Sequence, residues 1–389
     1  MLRALALATL AACYAPTPPA GSPCDPGACP SGLVCSPATH TCEVTAVAPD
    51  APADTASAAD APAGAWLAGY AHRKRITIVS SLALARFPVS LIETADADLA
   101  GSTGSDVVFT AADATSVLPS EVVALSASGA LDAWFAMTIA PGSNVAYMYW
   151  GGPAATRTSP WDAATYAGVW HMSAAGTSEP DSAAGHDVSA PTAATTPTSA
   201  TGIAGGARAY DGVDDHMGVA DPSDGSLDFG TSSFSYEVWV DVTASAGTFD
   251  IPLWKGGSSL PEPGYDMELG TSAWNAGISD GTVVDETTYG QETLLLGGWH
   301  QLTAVVDRAA GRFRSYVDGV QVSSVAISGV LTLSNSSPLQ LGNPTDVFHG
   351  LLDEVRIYKL ALAPAWITAT HANLADRAGY ISIGPAESP

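Results

Sequence analysis

The 389-residue chain has few charged residues and very few basic ones. Charged side chains make up 14% of the sequence, and 14 Lys and Arg stand against 39 Asp and Glu, a formal net charge of −25. Such a surface repels a phosphate backbone, which excludes nucleic acid as a partner. The 38 Gly and 27 Pro residues argue against long charged helices. A hydrophobic fraction of 47% is enough for packed cores, so an all-β fold is expected.

Two common catalytic motifs are also missing. The sequence contains no His-Glu-x-x-His zinc-protease motif and no phosphate-binding P-loop. After the first ten residues, no apolar run approaches the ~20 residues that cross a bilayer. We therefore expect an exported protein without zinc-protease or P-loop nucleotide chemistry.

The N-terminus has the pattern of an export signal. Met-Leu-Arg precedes an apolar run over 4–10, and Leu-Ala-Ala-Cys follows at 10–13. This pattern resembles a bacterial lipoprotein signal peptide, which implies that residues 1–12 are removed and that Cys13 is lipidated. A plain secretory signal is the alternative. The resemblance implies anchoring in the bacterial cell envelope, at the outer membrane, facing either the periplasm or the cell surface.

The remaining cysteines are confined to a short segment rich in Pro and Gly. With Cys13 set aside, the four are Cys24, Cys29, Cys35 and Cys42. An even number in an exported, core-poor segment predicts two disulfides, with three pairings open. A zinc knuckle is the alternative, although the paired C-x2-C of zinc sites is missing. Residues 13–42 resemble the cysteine-rich stalk modules of secreted bacterial proteins. Residues 43–65, built from Ala, Pro, Asp, Thr and Ser, predict a disordered linker.

Residues 66–155 consist of short runs with strand-like alternation, such as Ile76 and Ile78 between polar neighbours. The motifs in order are HRKRI (72–76), FPV (87–89), SDVVF (105–109), LPSE (118–121), AWF (133–135) and YMYWGG (147–152). They resemble a bacterial domain of unknown function that commonly precedes a laminin-G-like domain. The resemblance implies a small β-sandwich and no established chemistry.

Residues 160–375 carry a longer series of motifs. They are GVWHM (168–172), DSAAGHD (181–187), AYDGVDDHM (209–217), FSYEVWV (234–240), GWHQL (298–302), RSYVDGV (314–320) and GLLDEVRIY (350–358), with a helix-like stretch over 364–373. The series resembles a laminin-G-like jelly roll of the concanavalin A-like lectin/glucanase type. Residues 376–389 are predicted to be a C-terminal tail.

Acidic residues in this series are candidate calcium ligands. Laminin-G-like jelly rolls often hold one structural ion, and the resemblance places Asp181 and Asp353 at the acidic positions of two motifs, with Asp211 as a third candidate. Carboxylate oxygens are the ligands that Ca²⁺ prefers. The alternative is that Asp181 forms a turn and Asp353 accepts backbone N–H groups.

The sequence offers one pair of acidic residues that could support glycoside hydrolysis. Asp266 and Glu268 share a strand face, as the acids of glycoside hydrolases do, but residue 270 is Gly where a third acid would stand. We therefore expect no catalytic residues and a non-catalytic binding or adhesion module for a polysaccharide or glycoprotein. Trp254 and Trp274 are the expected ligand-stacking residues. A protein-interaction scaffold and a glycoside hydrolase are the alternatives.

Overall fold

The computed structural model describes residues 65–244, 249–256, 262–269, 273–291 and 295–389, together with two short strands nearer the N-terminus. Those two strands, β1 (Leu33–Cys35) and β2 (Cys42–Val44), pair antiparallel with Cys35 opposite Cys42. The predicted lipidation of Cys13, the side-chain pairing of the cysteines and most of the linker predicted over 43–65 lie outside the described residues. The first two linker positions, 43 and 44, belong to β2.

A small sandwich follows. Its first six strands are β3 (His72–Ser80), β4 (Leu84–Glu93), β5 (Val108–Ala111), β6 (Ser120–Leu125), β7 (Leu131–Ile139) and β8 (Gly142–Trp150). They form two antiparallel sheets, and alternate side chains of each strand point into the space between them. Ile76 and Ile78 pack there, as their alternation predicts, and Phe109 stacks on Phe135 at 4.7 Å.

The larger part of the chain is a second sandwich of two eight-stranded sheets. Its strands are β9 (Tyr166–Trp170), β10 (Ser178–Glu179), β11 (Val188–Ser189), β12 (Thr198–Thr201), β13 (Gly206–Asp211), β14 (Met217–Val219), β15 (Phe234–Val242), β16 (Asp250–Lys255), β17 (Pro263–Leu269), β18 (Trp274–Asp280), β19 (Val284–Gly290), β20 (Trp299–Asp307), β21 (Arg312–Val317), β22 (Val320–Ala326), β23 (Leu339–Leu341) and β24 (His349–Tyr358). The predicted all-β class, with a small sandwich before a larger one, is confirmed.

The two sheets of the larger sandwich have different surroundings. One sheet has the order β10-β11-β14-β23-β16-β17-β18-β19, and it has an outer face that is open to solvent. The other has the order β12-β13-β24-β15-β20-β21-β22, with β9 added against β24. Strands β15 and β24 of this second sheet are buried on both faces, because the small sandwich and a C-terminal helix cover its outer side.

The C-terminus differs from the predicted tail. After helix α1 (Pro364–Ala375) and the short helix α2 (Arg377–Tyr380), strand β25 (Ile381–Glu387) pairs antiparallel with β3. The chain therefore returns to complete a four-stranded sheet of the small sandwich. Residues 376–389 belong to that sandwich because Ile381 and Ile383 pack against its core. Among the described residues, no helix is long and apolar enough to cross a membrane.

Candidate functional site

A groove of about 680 Å³ runs along the open face of the first sheet. Four of its lining residues lie in one row across neighbouring strands. In register, Gln340 of β23 lies opposite Trp254, Trp254 opposite Asp266, Asp266 opposite Gly277, and Gly277 opposite Glu286. Neighbouring strands are about 4.8 Å apart. The row therefore places an amide, an indole and two carboxylates side by side, with a gap at Gly277.

Strand alternation explains why this face is polar. On β17, Tyr265 and Met267 enter the core, so Asp266 and Glu268 point into the groove. On β16, Leu253 likewise enters the core, so its neighbour Trp254 points into the groove. The core therefore fixes which side chains reach the groove.

The groove is strongly acidic. Its carboxyl-bearing residues are Glu262, Asp266, Glu268, Glu286 and Asp346, with Gln340 and Asn343 as amides. No Lys, Arg or His is among the described residues that line it. Such a surface accepts hydrogen bonds from hydroxyl groups or attracts cations, and it repels anionic ligands.

The two tryptophans expected to stack on a ligand have different positions. Trp254 is partly exposed on the groove floor. Trp274 is fully buried in the core of the larger sandwich, with its ring 6.4 Å from that of Phe348. The expectation for Trp274 is corrected, because a ring without an exposed face cannot stack on a sugar.

The structure shows the positions of two residue sets that resemble catalytic sites, a group of carboxylates and a Gly-x-Ser-x-Gly sequence. Asp266 and Glu268 lie on one face about 7 Å apart along the strand, and Glu286 joins them from β19, two strands from Asp266. One Gly-x-Ser-x-Gly also occurs, at 277–281. Its Ser279 is a buried strand residue whose hydroxyl accepts a hydrogen bond from Gly281, rather than the exposed nucleophile of a strand-to-helix turn.

The calcium candidates Asp181 and Asp353 have different partners. The Asp181 carboxylate accepts hydrogen bonds from four backbone N–H groups, those of Val169, Ala183, Ala184 and His186. Asp353 is fully buried and accepts a 2.9 Å hydrogen bond from the Ala204 N–H. No described residue bonds to both carboxylates. Burial and the neighbouring Glu354 raise the pKa of Asp353 well above its usual value.

The third calcium candidate lies in an acidic turn. Asp211, Asp214 and Asp215 can each place one carboxylate oxygen within 4.8 Å of the others. The Asp211 carboxylate also accepts a 2.8 Å hydrogen bond from the Val213 N–H, and an Asp215 oxygen accepts one of 3.0 Å from the Asp211 N–H. Oxygen ligands of this kind suit a hard cation.

A second polar cluster is buried between the two sandwiches. His171 Nδ1 lies 2.7 Å from Glu354 Oε1, and its Nε2 lies 3.4 Å from Glu121 Oε2. The Trp161 indole donates a 2.6 Å hydrogen bond to Glu121. Arg356 donates to Glu354. Glu121 belongs to the small sandwich and Glu354 to the larger one, so this cluster joins them.

Glu121, His171, Glu354 and Arg356 form an interdomain charge cluster, which aromatic rings surround. The Arg356 guanidinium lies 4.6 Å from the Trp134 ring centre and 5.2 Å from that of Trp161. Burial alone would lower the pKa of His171, but Glu354 and Glu121 raise it well above its usual value. Burial raises the pKa of Glu354, and His171 and Arg356 outweigh this effect and lower it. The cluster therefore holds His171 charged between two carboxylates.

Sequence patterns alone did not indicate the interdomain charge cluster or the groove residues Glu286 and Gln340. Glu286 and Gln340 follow the period-2 alternation of their strands, so alternation could have marked them as outward-facing. No local signal separates the buried Glu354 from an exposed strand residue, because the covering domain is distant in sequence.

Residues 211–368 match the family profile described as the concanavalin A-like lectin/glucanases superfamily. No curated protein matches the sequence. The binding domain of Paraclostridial Mosquitocidal Protein 1 is 15% identical, with 54% of this chain and 52% of that chain aligned and a TM-score of 0.45. The receptor binding domain of botulinum neurotoxin C/D mosaic serotype is 11% identical, with 54% and 51% aligned and a TM-score of 0.44. The aligned part spans about half of either neighbour. Residues 211–368 are therefore similar to the concanavalin A-like lectin/glucanases superfamily.

Proposed function

We propose that the protein is a non-catalytic binding or adhesion module of the bacterial cell envelope, and that the groove binds a neutral carbohydrate. The observation that carries the proposal is the row of Trp254, Asp266 and Glu286 on one open sheet face. The apolar face of a sugar ring packs on an indole, and its hydroxyls donate hydrogen bonds to carboxylates and amides. The five acidic residues of the groove disfavour anionic sugars by charge repulsion.

The proposed location follows from the N-terminal sequence. Lipidation of Cys13 would anchor the chain, the cysteine-rich segment and the linker would act as a spacer, and the sandwiches would meet a polysaccharide or glycoprotein. These parts of the proposal depend on the sequence pattern alone.

Replacing Trp254 by alanine is expected to weaken binding of a neutral polysaccharide by at least about tenfold, the equivalent of ~1.4 kcal/mol. A glycan array probed with the full chain identifies the ligand, and titration calorimetry measures the affinity. Trp299→Ala, which removes a partly exposed indole from the other sheet, is the matched control and should bind as the wild type does. Equal loss in both variants, or binding of acidic glycans only, would contradict the proposal. A chain that binds no glycan supports a protein-interaction scaffold instead.

A glycoside hydrolase is the second candidate, because Asp266, Glu268 and Glu286 share the groove. Hydrolysis needs two carboxyl groups on either side of a glycosidic bond. Incubation of the bound polysaccharide with the protein, followed by measurement of new reducing ends, separates the two functions. A rate that Glu268→Gln abolishes would establish hydrolysis.

Calcium in the larger sandwich is a further proposal. At about 100 times its dissociation constant, a cation that binds only the folded state stabilises it by ~2.7 kcal/mol, which raises the melting temperature by a few degrees. Melting curves in millimolar Ca²⁺ and in chelator measure the shift. Asp211→Asn should remove the shift if the ion lies at the acidic turn, and should preserve it if Asp181 and Asp353 hold the ion. Overlapping curves for a protein that elemental analysis finds metal-free would exclude calcium.

A further inference from the structure

A second cavity, of about 410 Å³, lies where the small sandwich meets the larger one. Its walls come from β4, β6 and β7 on one side and from residues 201–206 on the other, with Arg377 of α2 beside them. Ile92, Leu131 and Ile203 supply apolar surface. This volume lies within the usual range for small-molecule sites.

Asp132 is the buried acid of this cavity. Its residue is only 4% exposed, and neither carboxylate oxygen has a hydrogen-bond partner among the described residues. Burial raises the pKa of Asp132, while the charge of His171 and, more weakly, the indole of Trp134 oppose this rise. The cavity wall beside Asp132 is Gly205, where a Cβ atom would lie 2.7 Å from Asp132 Oδ2. A buried carboxylate without donors is costly, so this group suits a ligand that supplies them.

Arg377 is the cationic group of the same cavity. Its Nε atom is buried and has no hydrogen-bond partner in the described part of the chain, and the side chain forms no ion pair there within 4.0 Å. Asp132 and Glu93 are the acids whose charges act on it. A guanidinium group binds a carboxylate through parallel N–H donors. The cavity therefore offers one acid, one guanidinium and an apolar surface.

We propose that this interdomain cavity binds a small zwitterion with an apolar body, an amino acid or short peptide whose ammonium group pairs with Asp132 and whose carboxylate pairs with Arg377. An ammonium group carries three donors, enough for both oxygens of Asp132. The apolar side chain contacts Ile92, Leu131 and Ile203. This site is separate from the groove and does not depend on the carbohydrate proposal.

Binding through an ionised Asp132 depends on pH. Burial raises the pKa of Asp132 to about 7. The charged groups that face it are Glu121 of β6, His171 after β9, Asp353 and Glu354 of β24, and Arg377 of α2. Below pH 7 the ligand must displace a proton from Asp132, so its affinity falls by about tenfold for each pH unit.

Titration calorimetry on the full chain tests the site with leucine and with the dipeptide Leu-Leu, which distinguish an amino acid from a peptide end. Two analogues each lack one charge: isoamylamine has no carboxylate, and 4-methylpentanoic acid has no amine. We expect leucine or the dipeptide to bind, and each analogue to bind at least about tenfold more weakly than the tighter of these two ligands. Affinity should fall from pH 7 to pH 5.

Variants assign the two charges. Asp132→Asn keeps the side-chain shape and should abolish binding of the zwitterion. Arg377→Gln should bind leucine and isoamylamine equally. Asp224→Asn, which changes an exposed acid outside both the groove and this cavity, is the matched control and should bind leucine as the wild type does. Absence of binding by both leucine and Leu-Leu, or unchanged leucine binding in Asp132→Asn, would overturn the proposal.

Discussion

Replacing Arg356 by methionine is expected to lower the free energy of unfolding by about 3–5 kcal/mol. Arg356 is fully buried, donates a hydrogen bond to Glu354 and lies 3.7 Å from Glu237. Without the guanidinium, both carboxylates stay buried with less compensating charge, and the contacts with Trp134 and Trp161 are lost. Urea unfolding at pH 7, followed by tryptophan fluorescence, measures the change.

The exposed Arg312 provides the matched control for this prediction. Arg312→Met should change the free energy of unfolding by less than about 0.5 kcal/mol. The double variant Arg356→Met with Glu354→Gln should recover part of the loss, because the second change removes one of the stranded charges. A single Arg356→Met variant within about 1 kcal/mol of the wild type would show that the interdomain charge cluster contributes little.

Replacing Asp132 by asparagine is expected to stabilise the protein at pH 8 by up to about 4 kcal/mol and to have little effect at pH 4. Burial raises the folded-state pKa of Asp132 from 3.8 to about 7. The folded state therefore binds a proton more tightly than the unfolded chain does. This contribution to stability is complete below pH 3.8 and is lost as the pH rises through 7. Asparagine resembles the protonated acid and removes the loss.

Unfolding free energies of the wild type and Asp132→Asn at intervals between pH 4 and pH 8 test this sign. The two curves should meet near pH 4 and diverge as the pH rises. Asp214→Asn removes an exposed carboxylate and should follow the wild type within about 0.5 kcal/mol throughout. A variant that loses stability at pH 8 would mean that Asp132 is stabilised as a carboxylate.

Arg356 and Asp132 both lie where the small sandwich meets the larger one, and further contacts join the two sandwiches there. Ser90 of the small sandwich donates to the Asn373 carbonyl of α1 at 2.9 Å, and Phe87 packs against Trp366 at 5.2 Å. With β25 completing the small sandwich, residues from both ends of Ser57–Pro389 contribute to one compact unit. A fragment that begins near residue 160 would leave β25 without its partner strand β3, so binding and stability are best measured on the full chain.

The strand pattern determined much of the architecture. Alternation over 66–155 indicated a sandwich, since period-2 burial is a local property of each strand. The ordered motifs after residue 160 indicated a concanavalin-type fold through their resemblance to laminin-G-like domains. The same alternation made Asp266 and Glu268 neighbours on one face. The sequence could not separate Trp254 from Trp274, because both lie on strands near loops and only the position of the opposing sheet decides which indole is covered.

Tertiary structure alone decided the interdomain charge cluster, the cavity beside Asp132 and the place of the C-terminal strand. Glu237, Glu354 and Arg356 occupy alternate positions that would face solvent in an isolated sandwich. They are buried because a second domain, joined by a returning strand, covers that sheet. Burial then raises the pKa of Asp132 and leaves its carboxylate without donors. Local sequence determines which face of a strand a residue takes, and distant chain segments determine whether that face meets water.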